Sequence, residues 1–153
     1  MKASKSQGAH RIPCGVRWAL AIVWILFIWS RSLYAGPASS SQSDAVAAIL
    51  MPVFEALGIR EWRTMTFIVR KCAHFLEYLV LGVLLALTRE EGRGAWWPRL
   101  LVGVATPSAD EGIQRFVPGR SGQLSDVALD CAGVAVGMLL ATGIRSALRR
   151  RRR

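Results

Sequence analysis

Four apolar stretches, each close to the length needed to cross a lipid bilayer, constrain this chain more than any other feature of its sequence. They cover residues 16–30, 67–88, 97–116 and 124–144. A helix needs about 20 mostly apolar residues to cross the hydrocarbon core. We therefore predict an all-α membrane protein with four transmembrane helices and no separate soluble domain.

The first and third stretches are the weakest of the four. The first is short, although Trp18 and Trp29 stand near its ends, where aromatic residues favour the membrane interface. Its basic start also fits a secretory signal peptide, but Leu33 and Pro37 make the nearby cleavage sites poor. The third stretch turns polar in its second half, so it can cross only if its polar side faces other helices or a wet cavity.

The connection between the first two spans contains a short helix. After a Ser-rich loop, Ser43 or Asp44 is placed to cap a helix from about residue 45 to residue 57. This segment is too short to span and contains Pro52. We expect it to lie at the outer membrane surface as an interfacial or re-entrant helix.

Basic residues flank the apolar stretches. Lys and Arg number 20 against 10 Asp and Glu, for a net charge of +10. Placing both termini in the cytoplasm puts most of these cations on the inner side, as the positive-inside rule requires. We predict a basic N-terminal segment at residues 1–15, a bundle at 16–144 and a basic tail at 145–153, in the cytoplasmic (inner) membrane of a bacterium.

Two other classes of protein are disfavoured. Nucleic-acid binding needs cations along one face, whereas these cations lie between and beyond the apolar stretches. The three cysteines, Cys14, Cys72 and Cys131, are widely spaced and match neither a disulfide framework nor a zinc pattern.

Polar residues form one stripe on each of the last three spans. At about 100° per residue, Arg70, Lys71, His74, Glu77 and Tyr78 fall within an arc of roughly 120° on span two. The stripe on span three contains Gly103, Pro107, Asp110 and Gln114, with Glu111 beside it, and that on span four contains Asp126, Asp130, Gly133 and Gly137. One-sided polar faces of this kind are expected where helices face one another in a bundle.

Three carboxylates come to one depth. Glu77, Asp110 and Asp130 each lie on the order of 10 Å from the outer end of their helix, at 1.5 Å per residue. Several ionisable groups at one level indicate a polar pocket open to the outer face. Structural ion pairs are the alternative, with Glu77 pairing to Lys71 or His74, and the two aspartates pairing to Arg115 or Arg120.

A metal-binding site is a more specific alternative. His74 and Glu77, at i and i+3, are spaced to ligate an ion alongside Asp110 or Asp130. Only one histidine lies within the spans, so we expect neither a metal nor any other cofactor. Gly133 and Gly137 form a small-residue pair that we assign to helix packing.

The ordered set of motifs resembles the VanZ-like family of small bacterial membrane proteins over roughly residues 18–143. The matching stretches are K-x-x-H-F-x-E-Y at Lys71 to Tyr78, D-E-x-x-Q at Asp110 to Gln114, and P-G-R ending at Arg120. The last motif, with Asp126, Gly133 and Gly137, departs at Asp130, where the family usually shows Asn. A carboxylate at that position must be protonated or paired.

The resemblance implies a link to the cell envelope, because the founding member is associated with low-level resistance to teicoplanin, a lipid-tailed glycopeptide. Our first hypothesis is a non-catalytic or unclassified envelope protein, related to glycopeptide tolerance through a lipid-linked or glycopeptide ligand that it binds at the outer leaflet. The second is a membrane enzyme acting on a lipid-linked phosphate or sugar, and the third is a structural partner subunit.

The candidate residues follow from these hypotheses. In the enzyme, Arg70, Lys71 and Arg120 hold the head group, and the catalytic candidates are His74, Glu77 and Asp110. The full set of binding candidates is Lys71, His74, Glu77, Tyr78, Asp110, Glu111, Gln114, Arg120, Asp126 and Asp130. The sequence leaves the oligomeric state open.

Overall fold

The chain folds into five helices. The computed structural model describes residues 12–33, 36–89, 95–120 and 122–151, and for residues 36–40 it describes the backbone only. The helices are α1 (Cys14–Ser32), α2 (Gly36–Ala56), α3 (Trp62–Thr88), α4 (Trp97–Gln114) and α5 (Leu124–Arg150). No strand occurs within the described ranges, so the all-α prediction is confirmed. Most of the predicted basic N-terminal segment lies outside them.

Three of the five helices, α1, α3 and α5, are long and apolar enough to cross a membrane. Large apolar side chains on their outer surfaces are exposed, as a bilayer environment requires; examples are Val23, Phe67 and Leu139. The predicted fourth span corresponds to α4, which does not reach the same hydropathy. Length and composition therefore support three of the four predicted spans.

Two long helices extend beyond their predicted ends. α3 begins at Trp62 rather than at residue 67, and α5 continues past residue 144 to Arg150. Much of the predicted basic tail is therefore helical. Arginine is a good helix former, and its long aliphatic stem allows the helix to leave the apolar region without a break.

The prediction for the connection between the first two spans was wrong in extent. α2 begins at Gly36, so the Ser-rich stretch is helical rather than a loop, and Ser43 and Asp44 lie inside the helix instead of capping it. Pro37, in the first turn, is compatible with a helix that starts at Gly36. A proline lacks the N–H group, but the first turn of a helix leaves that group unbonded in any case.

α2 ends in a glycine turn and packs on the start of α3. Gly58 has a φ of 79°, and the Ile59 N–H donates to the Phe54 carbonyl at 2.9 Å. This left-handed termination favours glycine. The buried Phe54 then contacts a small apolar cluster that includes Met65 and Val69 of α3.

The tightest helix contact joins α3 to α5. A Cβ atom at Gly133 would lie 2.7 Å from the Phe75 carbonyl oxygen, and one at Gly137 would collide with the Leu79 carbonyl. Only glycine allows the two backbones to approach this closely. Residue numbers rise together along the contact, so α3 and α5 are parallel.

α1 runs antiparallel to α3. Near its start, Arg17 Nη1 donates to the Leu87 carbonyl at 3.1 Å, and halfway along, Trp24 Nε1 donates to the Glu77 carbonyl at 2.9 Å. The main apolar core of the bundle lies along this contact. Its fully buried members are Ala21, Ile28, Tyr78, Leu81, Leu85 and Ala86.

α4 also runs antiparallel to α3 and covers the height of the bundle. At its start the buried Arg99 donates to the Thr88 hydroxyl at 3.2 Å, and at its end Gln114 Nε2 lies 3.5 Å from the Ser32 hydroxyl. The apolar side chains of Leu100 and Leu101 on its other face are exposed. Its polar side therefore faces the other helices.

These directions give the bundle two ends. The basic end holds the start of α1, the last turns of α3 and α5, and the start of α4, where Arg17, Arg99 and Arg145 bond to main-chain carbonyls. The polar end holds the last turns of α1 and α4, the first turns of α3 and α5, and the contact with α2.

We expect Gly137→Ala to lower the apparent melting temperature of the detergent-solubilised protein, because the added methyl group meets the α3 backbone. Overpacking of this kind costs about 1–3 kcal/mol. Gly143→Ala on the same helix is the matched control, since nothing lies within 4 Å of its added atom. There the higher helix propensity of alanine should leave stability unchanged or slightly raised. Equal melting temperatures for the two variants would contradict the assigned contact.

Candidate functional site

A cavity of about 170 Å³ opens at the polar end of the bundle. Its walls come from α1, α2, α3 and the turn between α4 and α5. The charged side chains that line it are Arg31, Arg70, Arg120 and Glu77, together with His74. Three guanidinium groups against one carboxylate give the cavity a net positive charge, which favours an anion.

Arg31 forms an ion pair with Glu77 across the cavity. The distance from Arg31 Nε to Glu77 Oε1 is 2.9 Å, and the two side chains are 40% and 20% exposed. The predicted pairing of Glu77 with Lys71 or His74 is therefore wrong, because α1 brings a cation closer. Arg31 was missing from the predicted site. Its signal was a cation at the predicted outer end of span one, where the positive-inside rule disfavours it.

Lys71 pairs instead with Asp126 in the first turn of α5. Both side chains are about one-fifth exposed. The ammonium group also lies 5.2 Å from the centre of the Phe67 ring, within range of a cation–π contact. This pair fastens the start of α5 to α3 and leaves Lys71 outside the set of cations that lines the cavity.

Behind the cavity, His74, Asp110 and Asp130 form a second group, which we call the deep cluster. One ligand atom from each of the three residues lies within 4.8 Å of the other two. His74 Nδ1 is 3.8 Å from Asp130 Oδ2. Both aspartates are fully buried. His74 lines the cavity as well, so the deep cluster and the cavity share one side chain.

Most polar atoms of the deep cluster have no hydrogen-bond partner among the described residues. These atoms are His74 Nδ1, Asp110 Oδ1 and both carboxylate oxygens of Asp130. The buried hydroxyl of Tyr78 lies near Asp110 and Asp130 but makes no hydrogen bond of normal geometry with a described residue. Buried polar groups without partners are costly and uncommon, so a water molecule, an ion or another ligand is expected beside them.

Glu111 and Gln114 have structural contacts. Glu111 Oε2 accepts a 2.8 Å hydrogen bond from the backbone N–H of Gln123, the residue that precedes α5. Gln114 Nε2 donates to Asp110 Oδ2 at 3.1 Å and lies close to Ser32 of α1. The two side chains hold the ends of α4, α5 and α1 together beneath the cavity.

Arg120 reaches the cavity from a glycine turn. Gly119 has a φ of 77°, and the Arg120 N–H donates to the Val117 carbonyl at 3.2 Å. Burial lowers the pKa of the Arg120 guanidinium, and the charge of Asp110 opposes that shift. Because arginine titrates so far above neutrality, Arg120 stays cationic.

The carboxylates that were predicted to lie at one depth thus divide into two groups. Asp110 and Asp130 meet as predicted from their depth, but with His74 rather than Glu77, which faces Arg31 in the cavity. The predicted packing residues Gly133 and Gly137 lie on the same side of α5 as Asp130, against α3. Chemically, the cavity is suited to an anion, and the deep cluster is suited to proton transfer or to a cation.

We expect Lys71→Met to lower the apparent melting temperature, because it leaves Asp126 half-buried without its cation. We expect the free energy of unfolding to fall by about 1–2 kcal/mol, a value between those for exposed and for buried ion pairs. Adding Asp126→Asn should restore much of the loss. Arg63→Met, at an exposed position on the same helix, is the control and should have little effect. Additive losses in the double variant would show that the pair does not couple the helices.

Comparison with known proteins identifies the family of the chain. The family model described as VanZ/LLP1 matches residues 17–145, a range that includes the helices carrying the cavity and the deep cluster. No curated protein and no solved structure matches the chain. Since the match covers most of its length, this chain belongs to the VanZ/LLP1 family.

Proposed function

We propose that this protein is a four-span membrane protein that binds the anionic head group of a lipid at the outer face of a bacterial cytoplasmic membrane. The single observation that carries the proposal is the cavity at the polar end, with three arginines and one glutamate in its walls.

The topology rests on the parallel packing of α3 and α5. Both are candidate spans, and they run in the same direction. A chain that crosses twice in one direction must return in between, and α4 is the helix that covers that height. Its 18 residues give about 27 Å at 1.5 Å per residue, close to the thickness of the hydrocarbon core. The buried side of α4 explains its low hydropathy.

The orientation rests on charge. The basic end carries Arg17, Arg89, Arg99 and the arginine-rich end of α5, which the positive-inside rule assigns to the cytoplasm. Both termini then lie in the cytoplasm, and the cavity opens on the outer side. A ligand in the outer leaflet can reach it from there.

The ligand class rests on the size and charge of the cavity. Guanidinium groups match the geometry of phosphate oxygens. A volume of about 170 Å³ is below the roughly 300–1,000 Å³ of pockets for drug-sized ligands. A single phosphate-sized head group fits this volume, whereas a glycopeptide is too large to be enclosed by it. A role in teicoplanin tolerance, which the family resemblance suggests, is then indirect and passes through an anionic envelope lipid.

An enzyme acting on a lipid-linked phosphate is the second candidate, favoured by the position of His74 between the cavity and two buried aspartates. With Glu77 occupied by Arg31, the imidazole and Asp110 are the better placed acid and base. The two functions differ in whether a phosphate ester held in the cavity is cleaved.

Arg120→Gln should reduce lipid retention at least tenfold. The probe is dioleoyl phosphatidic acid, which carries a phosphomonoester, and native mass spectrometry of the detergent-solubilised protein is the measurement. Dioleoyl phosphatidylcholine should be retained poorly by every variant. Arg63→Gln, a cation at the same end but outside the cavity walls, is the matched control. Equal retention by the Arg120 and Arg63 variants would refute head-group binding in the cavity.

A topology reporter separates four spans from three. Alkaline phosphatase, which is active only outside the cytoplasm, should be silent when fused after Arg153 and active when inserted after Gly119. A fluorescent protein that matures only inside should give the opposite pattern. Phosphatase activity at Arg153 would contradict the proposed topology, because it requires either that α4 does not cross or that the orientation is inverted.

A further inference from the structure

We propose that His74, Asp110 and Asp130 bind one divalent metal ion, with one imidazole nitrogen and carboxylate oxygens as ligands. This reverses the expectation drawn from the sequence, which counted histidines and took Glu77 as the partner of His74. The test of cation binding does not depend on the arginines of the cavity, so cation binding and head-group binding can fail separately.

The geometry of the deep cluster suits an ion. Zn²⁺ lies about 2.0–2.2 Å from nitrogen and carboxylate ligands, so the ligand atoms around it are about 3–4 Å apart. His74 Nδ1 and Asp130 Oδ2 are already 3.8 Å apart, and all three ligand atoms lie within 4.8 Å of one another. Bringing the three ligand atoms from within 4.8 Å to the 3–4 Å expected around an ion needs side-chain movements of less than about 1 Å.

The unpartnered atoms provide a second, separate indication of a ligand. Asp110 and Asp130 are 0% exposed, yet Asp110 Oδ1 and both oxygens of Asp130 accept no hydrogen bond within the described part of the chain. His74 Nδ1 is in the same situation. A divalent cation would satisfy all of these atoms at once and would balance the charge of the two carboxylates.

The surroundings are arranged as around a metal site. Gln114 Nε2 donates to Asp110 Oδ2 at 3.1 Å, which fixes that carboxylate and leaves Oδ1 for an ion. Outer hydrogen bonds of this kind orient metal ligands in proteins. His74 lines the cavity, so an ion has access from the polar end and can keep a coordination position open towards it.

The ligand set also restricts the metal. Imidazole suits Zn²⁺, Fe²⁺ and similar ions, and carboxylates suit Mn²⁺ and Mg²⁺. One nitrogen with two carboxylates fits Mn²⁺, Fe²⁺ or Zn²⁺ better than Ca²⁺. No cysteine belongs to the cluster. Mn²⁺, which binds thiolates weakly, is therefore the cleaner probe in a chain with three cysteines.

The alternative is a cluster neutralised by protons, in which a protonated His74 or a shared carboxylic acid proton replaces the ion. The two accounts differ in what the cluster takes up from solution. A metal ion raises thermal stability with a defined stoichiometry, and a proton-neutralised cluster shows no response to added cations.

The test uses the full chain in detergent after treatment with EDTA. Mn²⁺ should raise the apparent melting temperature by about 5 °C at roughly 100 times Kd, and electron paramagnetic resonance should count one bound ion. Asp110→Asn, Asp130→Asn and His74→Gln should each weaken binding at least tenfold. Because Asp130→Asn removes a buried charge, its metal-free melting temperature should be unchanged or higher, which separates loss of binding from misfolding.

Two controls complete the test. Ser30→Ala removes an exposed hydroxyl of α1 that donates to the Phe27 carbonyl, and Glu55→Gln removes an exposed carboxylate of α2; neither residue belongs to the cavity walls or the deep cluster. Both should bind Mn²⁺ within about threefold of the wild type. No response to Mn²⁺ or Zn²⁺, or undiminished binding after loss of the three proposed ligands, would overturn the proposal.

Discussion

The close parallel contact between α3 and α5 determines where the other helices lie. Gly82, Gly133 and Gly137 let the two backbones approach to a distance that no side chain at those positions would permit. Because α3 and α5 run in the same direction, the chain must return between them. α4 is the returning helix, and it packs along the polar sides of the other two. Asp110 of α4 thereby meets Asp130 of α5 and His74 of α3, at the depth where the sequence of each helix places its polar stripe.

The polar end therefore contains two kinds of charged group. Near the surface, Arg31 with Glu77 and Lys71 with Asp126 form partly exposed ion pairs that hold helix ends together. Deeper in the bundle, two fully buried aspartates have no cation within the described residues that forms a salt bridge with them, apart from the contact of Asp130 with His74. Structural pairing explains the first group. It does not explain the second, which is why we assign a ligand to the deep cluster.

Hydropathy and periodicity predicted the helices, their one-sided polar faces and the meeting of Asp110 with Asp130. They did not predict the early start of α2, because Ser-rich stretches also form loops and a proline in the first turn is compatible with either. Nor did they identify Arg31, since a pairing between helices depends on which neighbour lies closest, and span one shows no polar stripe. A metal site was weighed and set aside on a count of histidines, which does not show that both aspartates converge on one imidazole while Glu77 lies elsewhere.

The central claim is that the polar end of this bundle holds a ligand rather than only its own side chains. The most direct measurement is a crystal structure of the full chain grown in a lipid phase with Mn²⁺, using anomalous scattering at the manganese edge. We predict one anomalous peak within about 2.5 Å of His74 Nδ1 and of oxygens from Asp110 and Asp130, with lipid phosphate density beside Arg120. A map without that peak, in which His74 bonds directly to both aspartates, would contradict the account.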